Sequence, residues 1–175
     1  PCGVCDGLGV CYNPGLGIHG EDPAMKLTDI LSRSCIRVPL KATDKTGAIT
    51  ELVDLLAEAG KIRDRDAVLK SVLEREKTRS TGIGYGLAVP HGKSEACPSL
   101  AMAVGRPIEP IDFESRDGQP ANIIALLASP PDQTGPHIQA LARISRLMLI
   151  EQFRQKLARA DSAEAFFDVI SEHEK

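Results

Sequence analysis

The stretch STGIGYGLAVPHGK, residues 80–93, places three alternating glycines before an apolar triplet, a proline and a histidine. Gly82, Gly84 and Gly86 mark backbone that turns tightly or is approached closely. Leu87, Ala88 and Val89 predict a short buried strand, which Pro90 is expected to end. His91 follows at once, between a proline and Gly92, both poor material for a helix or a ladder. An imidazole at a strand end, on a turn with little side-chain cover, is exposed yet rigidly held. That placement suits a nucleophile or a proton carrier better than a core residue.

Working outward, helices and strands alternate. Leu27, Ile30 and Leu31 share a helical face and predict a first helix ending near Ser32. Residues 36–40, IRVPL, read as extended, with Pro39 suggesting an edge strand. Thr43 and Asp44 can cap a helix carrying Ile49, Leu52, Val53, Leu55 and Leu56, which Gly60 stops. Asp64 caps the next, with Val68, Leu69, Val72 and Leu73 at helical spacing. Its end bears Glu74, Arg75, Glu76 and Lys77 and delivers the chain into the glycine loop.

Beyond His91, residues 100–104 read as a strand, and 106–118 as loop. Residues 122–128, NIIALLA, are nearly continuous apolar, the mark of a central strand covered on both faces. A helix is expected from about Pro136. Ile138, Leu141, Ile144 and Met148 would line its inner face. Another helix holds Phe153 and Leu157. The last is expected to be capped by Asp161, with Glu164 at capping-box spacing, and to bury Phe166, Phe167 and Ile170. The pattern predicts a single α/β domain, a mixed sheet flanked by helices on both faces.

Composition narrows the function classes. The chain has 175 residues, 42% hydrophobic and 26% charged, enough for one domain with a real core. Aromatic residues make up only 3%, and the net charge is −3, which argues against stacking platforms and phosphate-backbone binding, so no nucleic-acid partner is expected. No apolar run approaches the roughly 20 residues a bilayer span needs, so no membrane insertion is expected. No secretory signal is visible, and the expectation is a soluble cytoplasmic protein. Cys35 and Cys97 read as reduced thiols. Cys2, Cys5 and Cys11 crowd a glycine-rich start, where CxxCxGxG has the form of half a zinc site and His19 is a conceivable fourth ligand. A structural zinc site wants four ligands at workable spacing; the favoured reading has no metal and takes residues 1–24 as a flexible leader or expression extension before Met25. The folded domain is expected over 25–175.

His137 is the second informative histidine, set in the first turn of a helix just after the strongest strand. Functional groups of open α/β sheets gather outside the carboxyl ends of strands, so His91 and His137 can meet there. Read alone, each histidine would more often be structural or surface-bound. His173, near the C-terminus, reads as a solvated histidine at a helix end.

Together, Arg75-Glu-Lys, the STGIGYGLAVPHGK block and DQTGPH, residues 132–137, resemble the IIA component of the fructose/mannitol class of the bacterial phosphotransferase system. Among its branches the chain most resembles the nitrogen-regulatory IIA proteins, from about Met25 onward. The resemblance implies that His91 is phosphorylated and that His137 and Arg75 complete the catalytic set. Thr81, Gly92 and Lys93 are secondary candidates for phosphoryl contact. No cofactor is implied. The donor would be a histidine phosphocarrier, HPr-like or its nitrogen-branch paralogue, and the targets regulated proteins such as kinases or transporters. The alternatives are a sugar-transport IIA that passes phosphate to a IIB domain, for which these residues leave no room as a fusion, and a non-catalytic binding module. One departure stands out. The nitrogen-regulatory pattern usually has Asn where this chain has Tyr85, and Asn tolerates positive φ far better.

Overall fold

The computed structural model describes residues 25–175, so the cysteine-rich leader and its zinc motif lie outside the described residues. The chain runs β1 (Leu31–Leu40), α1 (Lys45–Glu58), α2 (Arg65–Thr78), β2 (Gly82–Gly84), β3 (Leu87–Ala88), β4 (His91–Lys93), β5 (Ala101–Pro107), β6 (Ile123–Ser129), α3 (Thr134–Leu149), α4 (Glu151–Arg159) and α5 (Ala163–His173). The sheet is mixed, ordered β1-β5-β6-β3-β2, with β4 also on β6. β5 pairs antiparallel with β6 and β2 with β3, while β1 runs parallel to β5, and β3 and β4 run parallel to β6.

Every residue of β6 is buried, as a strand covered on both faces requires. α1 packs against β1 and β5, α5 against β1, and α3 against β6. Two of the expected caps are in place. Asp44 Oδ1 accepts from the Gly47 amide at 2.8 Å, and Asp64 Oδ1 from the amides of Asp66 and Ala67 at 3.0 Å each.

Several expectations are corrected. The first helix is only a 3₁₀ turn at Leu27–Asp29, and Leu31 already opens a ten-residue edge strand. Leu27, Ile30 and Leu31 recur at helical spacing, but pairing with β5 draws residues from Leu31 onward into the sheet. β5 extends to Pro107, so the following loop is shorter than expected. α3 opens at Thr134 with an inner face of His137, Ala140, Ile144 and Leu147, and leaves Ile138 59% exposed. α5 is capped by Ser162 rather than Asp161, the Ser162 Oγ accepting from the Ala165 amide at 3.2 Å. Phe167 is only partly buried, with the Arg33 guanidinium 4.4 Å over its ring. His173 packs edge-on to Phe153 at 5.0 Å and is not simply solvated.

Pro90 also behaves differently from expectation. Leu87 pairs with Ile123, Ala88 with Ile124 and His91 with Leu127, a constant offset of 36 residues, so β3 and β4 are one strand line interrupted at Val89 and Pro90. The proline breaks the ladder without ending the line, and His91 opens a strand instead of following one.

At the far end of the chain, the buried Glu174 carboxylate accepts from the amides of Leu27 (2.8 Å) and Thr28 (3.1 Å) and from Arg143 Nε (3.2 Å). Among the described residues, no helix is long and apolar enough to cross a membrane.

Candidate active site

The interruption at Pro90 determines what His91 can do. Val89 makes the last rung toward β2, its amide donating to the Thr81 carbonyl at 3.0 Å. The chain before Thr81 then turns away into α2, which leaves the Val89 carbonyl without a ladder partner. His91 Nδ1 takes that place at 2.8 Å. A carbonyl can only accept, so in the neutral ring Nδ1 carries the proton and Nε2 keeps its lone pair.

His91 is half-buried, and its pKa is lowered, mainly by burial and further by the Arg75 charge, with the Val89 bond and Glu76 opposing. The ring is therefore held toward its neutral, nucleophilic form.

His137 stands at the carboxyl end of β6. Its Nδ1 lies 2.7 Å from the Oγ of Ser129, the last residue of that strand, and only 3% of the residue is exposed. The imidazoles of His91 and His137 meet edge to face, with centroids 5.3 Å apart. Burial, together with the charges of His91 and Lys93, pushes the His137 pKa down to about 4. The sheet thus brings together two imidazoles, both biased toward the neutral form, from sequence positions 46 residues apart (137 − 91).

Two cavities flank His91. One, of about 310 Å³, is lined by Arg75, Arg79 and Arg116 with Thr81 and Gly82. The other, of about 420 Å³, is lined by Arg75, Lys93, Thr134 and His137. Arg75 borders both, and its Nη1 donates to the Arg79 carbonyl at 2.9 Å, which steers the guanidinium. Among the described residues, no acidic side chain lines either cavity. A net-negative chain has gathered basic groups around one histidine, an arrangement that favours an anion.

The secondary candidates take different positions. Lys93 Nζ donates to Thr134 Oγ1 at 2.7 Å on the cavity wall. Gly92 is a packing position, because a Cβ there would lie 2.9 Å from the Val72 amide nitrogen and 2.8 Å from Ser71 Oγ. Only glycine lets α2 approach β4 this closely. The Thr81 hydroxyl is committed to Glu76, donating to Oε2 at 2.5 Å. Arg79, Arg116 and Glu76 were not singled out in the sequence. Arg116 reaches the site from a loop 25 residues beyond His91 (116 − 91), and no local pattern marks it.

Tyr85 occupies the left-handed region at φ 56°, between Gly84 and Gly86, which also have positive φ. Its amide donates to Asp117 Oδ2 at 2.9 Å, and the Arg154 guanidinium lies 5.1 Å from its ring centroid.

Comparison with known proteins places this arrangement. The profile of the phosphoenolpyruvate-dependent sugar phosphotransferase system, EIIA 2, matches residues 29–173. The chain belongs to this family. A nitrogen regulatory protein of Bradyrhizobium diazoefficiens is 37% identical over 147 residues, covering 84% of this chain and 95% of the relative. The fructose-specific EIIABC component of Bacillus subtilis is 38% identical over 151 residues, covering 86% of this chain, but this chain spans only 24% of that protein. The crystal structure of the nitrogen regulatory protein IIA-Ntr from Neisseria meningitidis superposes with a TM-score of 0.75 at 30% identity, over 81% of this chain and 97% of the other. The mixed sheet with its helices is therefore the fold of an EIIA type 2 domain, and both cavities belong to that domain.

Proposed function

We propose that this EIIA type 2 domain is a regulatory protein of the nitrogen-type phosphotransferase system that accepts a phosphoryl group on Nε2 of His91. The observation that carries this reading is the bond from His91 Nδ1 to the Val89 carbonyl, which leaves Nε2 as the free nitrogen of a ring that lines two cavities bordered by Arg75. The donor is a protonated phosphohistidine on a small phosphocarrier. The Nε2 lone pair forms the new N–P bond as the donor's N–P bond breaks, and the donor imidazole leaves neutral with the electron pair. His91 keeps its Nδ1 proton, so the phosphorylated ring carries the positive charge, against the Val89 carbonyl. Such a loose, in-line transfer depends on positioning and charge stabilisation more than on a base. Arg75 supplies a planar cation for the phosphoryl oxygens. His137 borders the same space and orients the acceptor or donates to the phosphoryl group. Phosphorylation state then sets which kinases or transporters in the cytoplasm the protein engages.

The similarity to fructose-specific EIIABC favours a second reading, in which the same phosphoryl group passes on to a IIB domain. Incubation with phosphoenolpyruvate, enzyme I and the phosphocarrier tests the shared step. One phosphoryl group, a gain of about 80 Da, should appear in the wild type and not in His91→Ala. Absence of the gain in wild type overturns the proposal, as does its persistence in His91→Ala. Addition of a IIB domain separates the two readings, because only a transport IIA discharges to it.

A further inference from the structure

Glu76 is a buried carboxylate one residue beyond Arg75 that lines neither cavity beside His91. Burying a charge is costly unless it is fully partnered, and here it is. Oε2 accepts from Thr81 Oγ1 at 2.5 Å, and Oε1 from the Thr81 amide at 3.2 Å. Lys45 Nζ, from the first turn of α1, lies 3.3 Å from Oε1. Glu76 therefore grips Thr81 at two points. The free carbonyl of Thr81 receives the Val89 amide, and the free carbonyl of Val89 receives His91 Nδ1.

These contacts form one unbroken series from a charged pair on α1 and α2 to the ring of His91. Within Thr81 and within Val89 the donor and the acceptor belong to different peptide groups. The linkage is therefore mechanical, and no polarisation runs along it. It fixes where the Val89 carbonyl points, and that direction fixes which nitrogen of His91 holds the proton.

We infer that Glu76 is a positioning residue that holds His91 in its Nδ1–H form by clamping Thr81. The inference rests on His91 as the phosphoryl acceptor, but its first readout does not require transfer. In the wild type, nitrogen-15 NMR of the histidine rings at neutral pH should show His91 predominantly as the Nδ1–H tautomer. Glu76→Gln keeps an oxygen for the Thr81 amide and an NH₂ for its hydroxyl, so it should retain that tautomer. Glu76→Ala should shift His91 toward a mixture with the Nε2–H form, and slow phosphorylation by on the order of tenfold or more, since small misplacements of reacting groups cost that much. Thr81→Val, which removes only the hydroxyl arm, should shift the tautomer by a smaller amount, and it serves as the test if Glu76→Ala does not fold. A wild-type ring in the Nε2–H form would overturn the inference. So would a folded Glu76→Ala with an unshifted tautomer, or, where that variant does not fold, an unshifted Thr81→Val. If the tautomer shifts as expected but wild type accepts no phosphoryl group, the positioning role stands and the proposed function falls.

Discussion

His137 offers a direct measurement of what burying an imidazole beside His91 costs the fold. Its pKa lies at about 4 in the native protein against 6.5 for the ordinary side chain, because burial and the facing His91 and Lys93 oppose a positive charge. The unfolded state therefore binds this proton more readily than the native state. Stability contributed by neutral His137 is complete above about pH 6.5 and is lost as pH falls toward 4. For these two values, the loss between about pH 7.5 and about pH 5 is roughly 2 kcal/mol, and about 3 kcal/mol once both states are protonated. The perturbation is His137→Asn, which places an amide near Ser129 and removes the titration. Urea unfolding at the two pH values gives the change in stability for each protein. The variant should be less stable than wild type at pH 7.5, yet should lose about 2 kcal/mol less on acidification. His91, present in both proteins and also lowered in pKa, loses stability on acidification in the same direction and does not reverse the sign of the difference. Parallel losses in wild type and variant would refute the reasoning.

Two further substitutions probe the backbone around the site. Gly92→Ala drives a methyl group to 2.9 Å from the Val72 amide nitrogen, so α2 must retreat from β4. Denaturant unfolding should show a loss of about 1–3 kcal/mol, with slower phosphorylation of His91 because Arg75 rides on α2. Unchanged stability would mean that the helix is not held against the strand. Tyr85→Asn relieves about 1–2 kcal/mol of left-handed strain and gives up about 0.5–1 kcal/mol of contact with Arg154. The expected result is a small net gain in unfolding free energy, of about 0.5 kcal/mol. A loss above about 1 kcal/mol would show that the arginine contact dominates.

Much of the fold was legible where local chemistry decides it. The aspartate caps of α1 and α2 and the unbroken apolar run of β6 depend on neighbouring residues alone. Pro39 correctly marked an edge strand, because a missing donor is tolerated there. The misreadings share a different cause. Leu27, Ile30 and Leu31 fit a helix until β5, more than sixty residues later, pairs with Leu31. Pro90 looks like a terminator because nothing near it reveals that β6 keeps both halves of the line in one register. The apolar spacing of α3 fits more than one inward face, and packing on β6, where His137 meets Ser129, turns His137 inward and leaves Ile138 outward. In the site, the meeting of His91 and His137 was legible although His91 opens β4 instead of following a strand, whereas Arg116 and the grip of Glu76 on Thr81 arise only once distant segments are folded together.

The clasp made by Glu174 has a consequence for how the domain is used. By holding Leu27 and Thr28, it places the two ends of the described domain side by side. The polypeptide therefore comes in and goes out at one spot, like the two leads of a single plug. A domain wired this way can be spliced into a larger chain without opening its sheet. A domain of this kind makes up nearly all of the nitrogen regulatory relative and about a quarter of the fructose-specific EIIABC component, and the difference lies in what is attached to the plug.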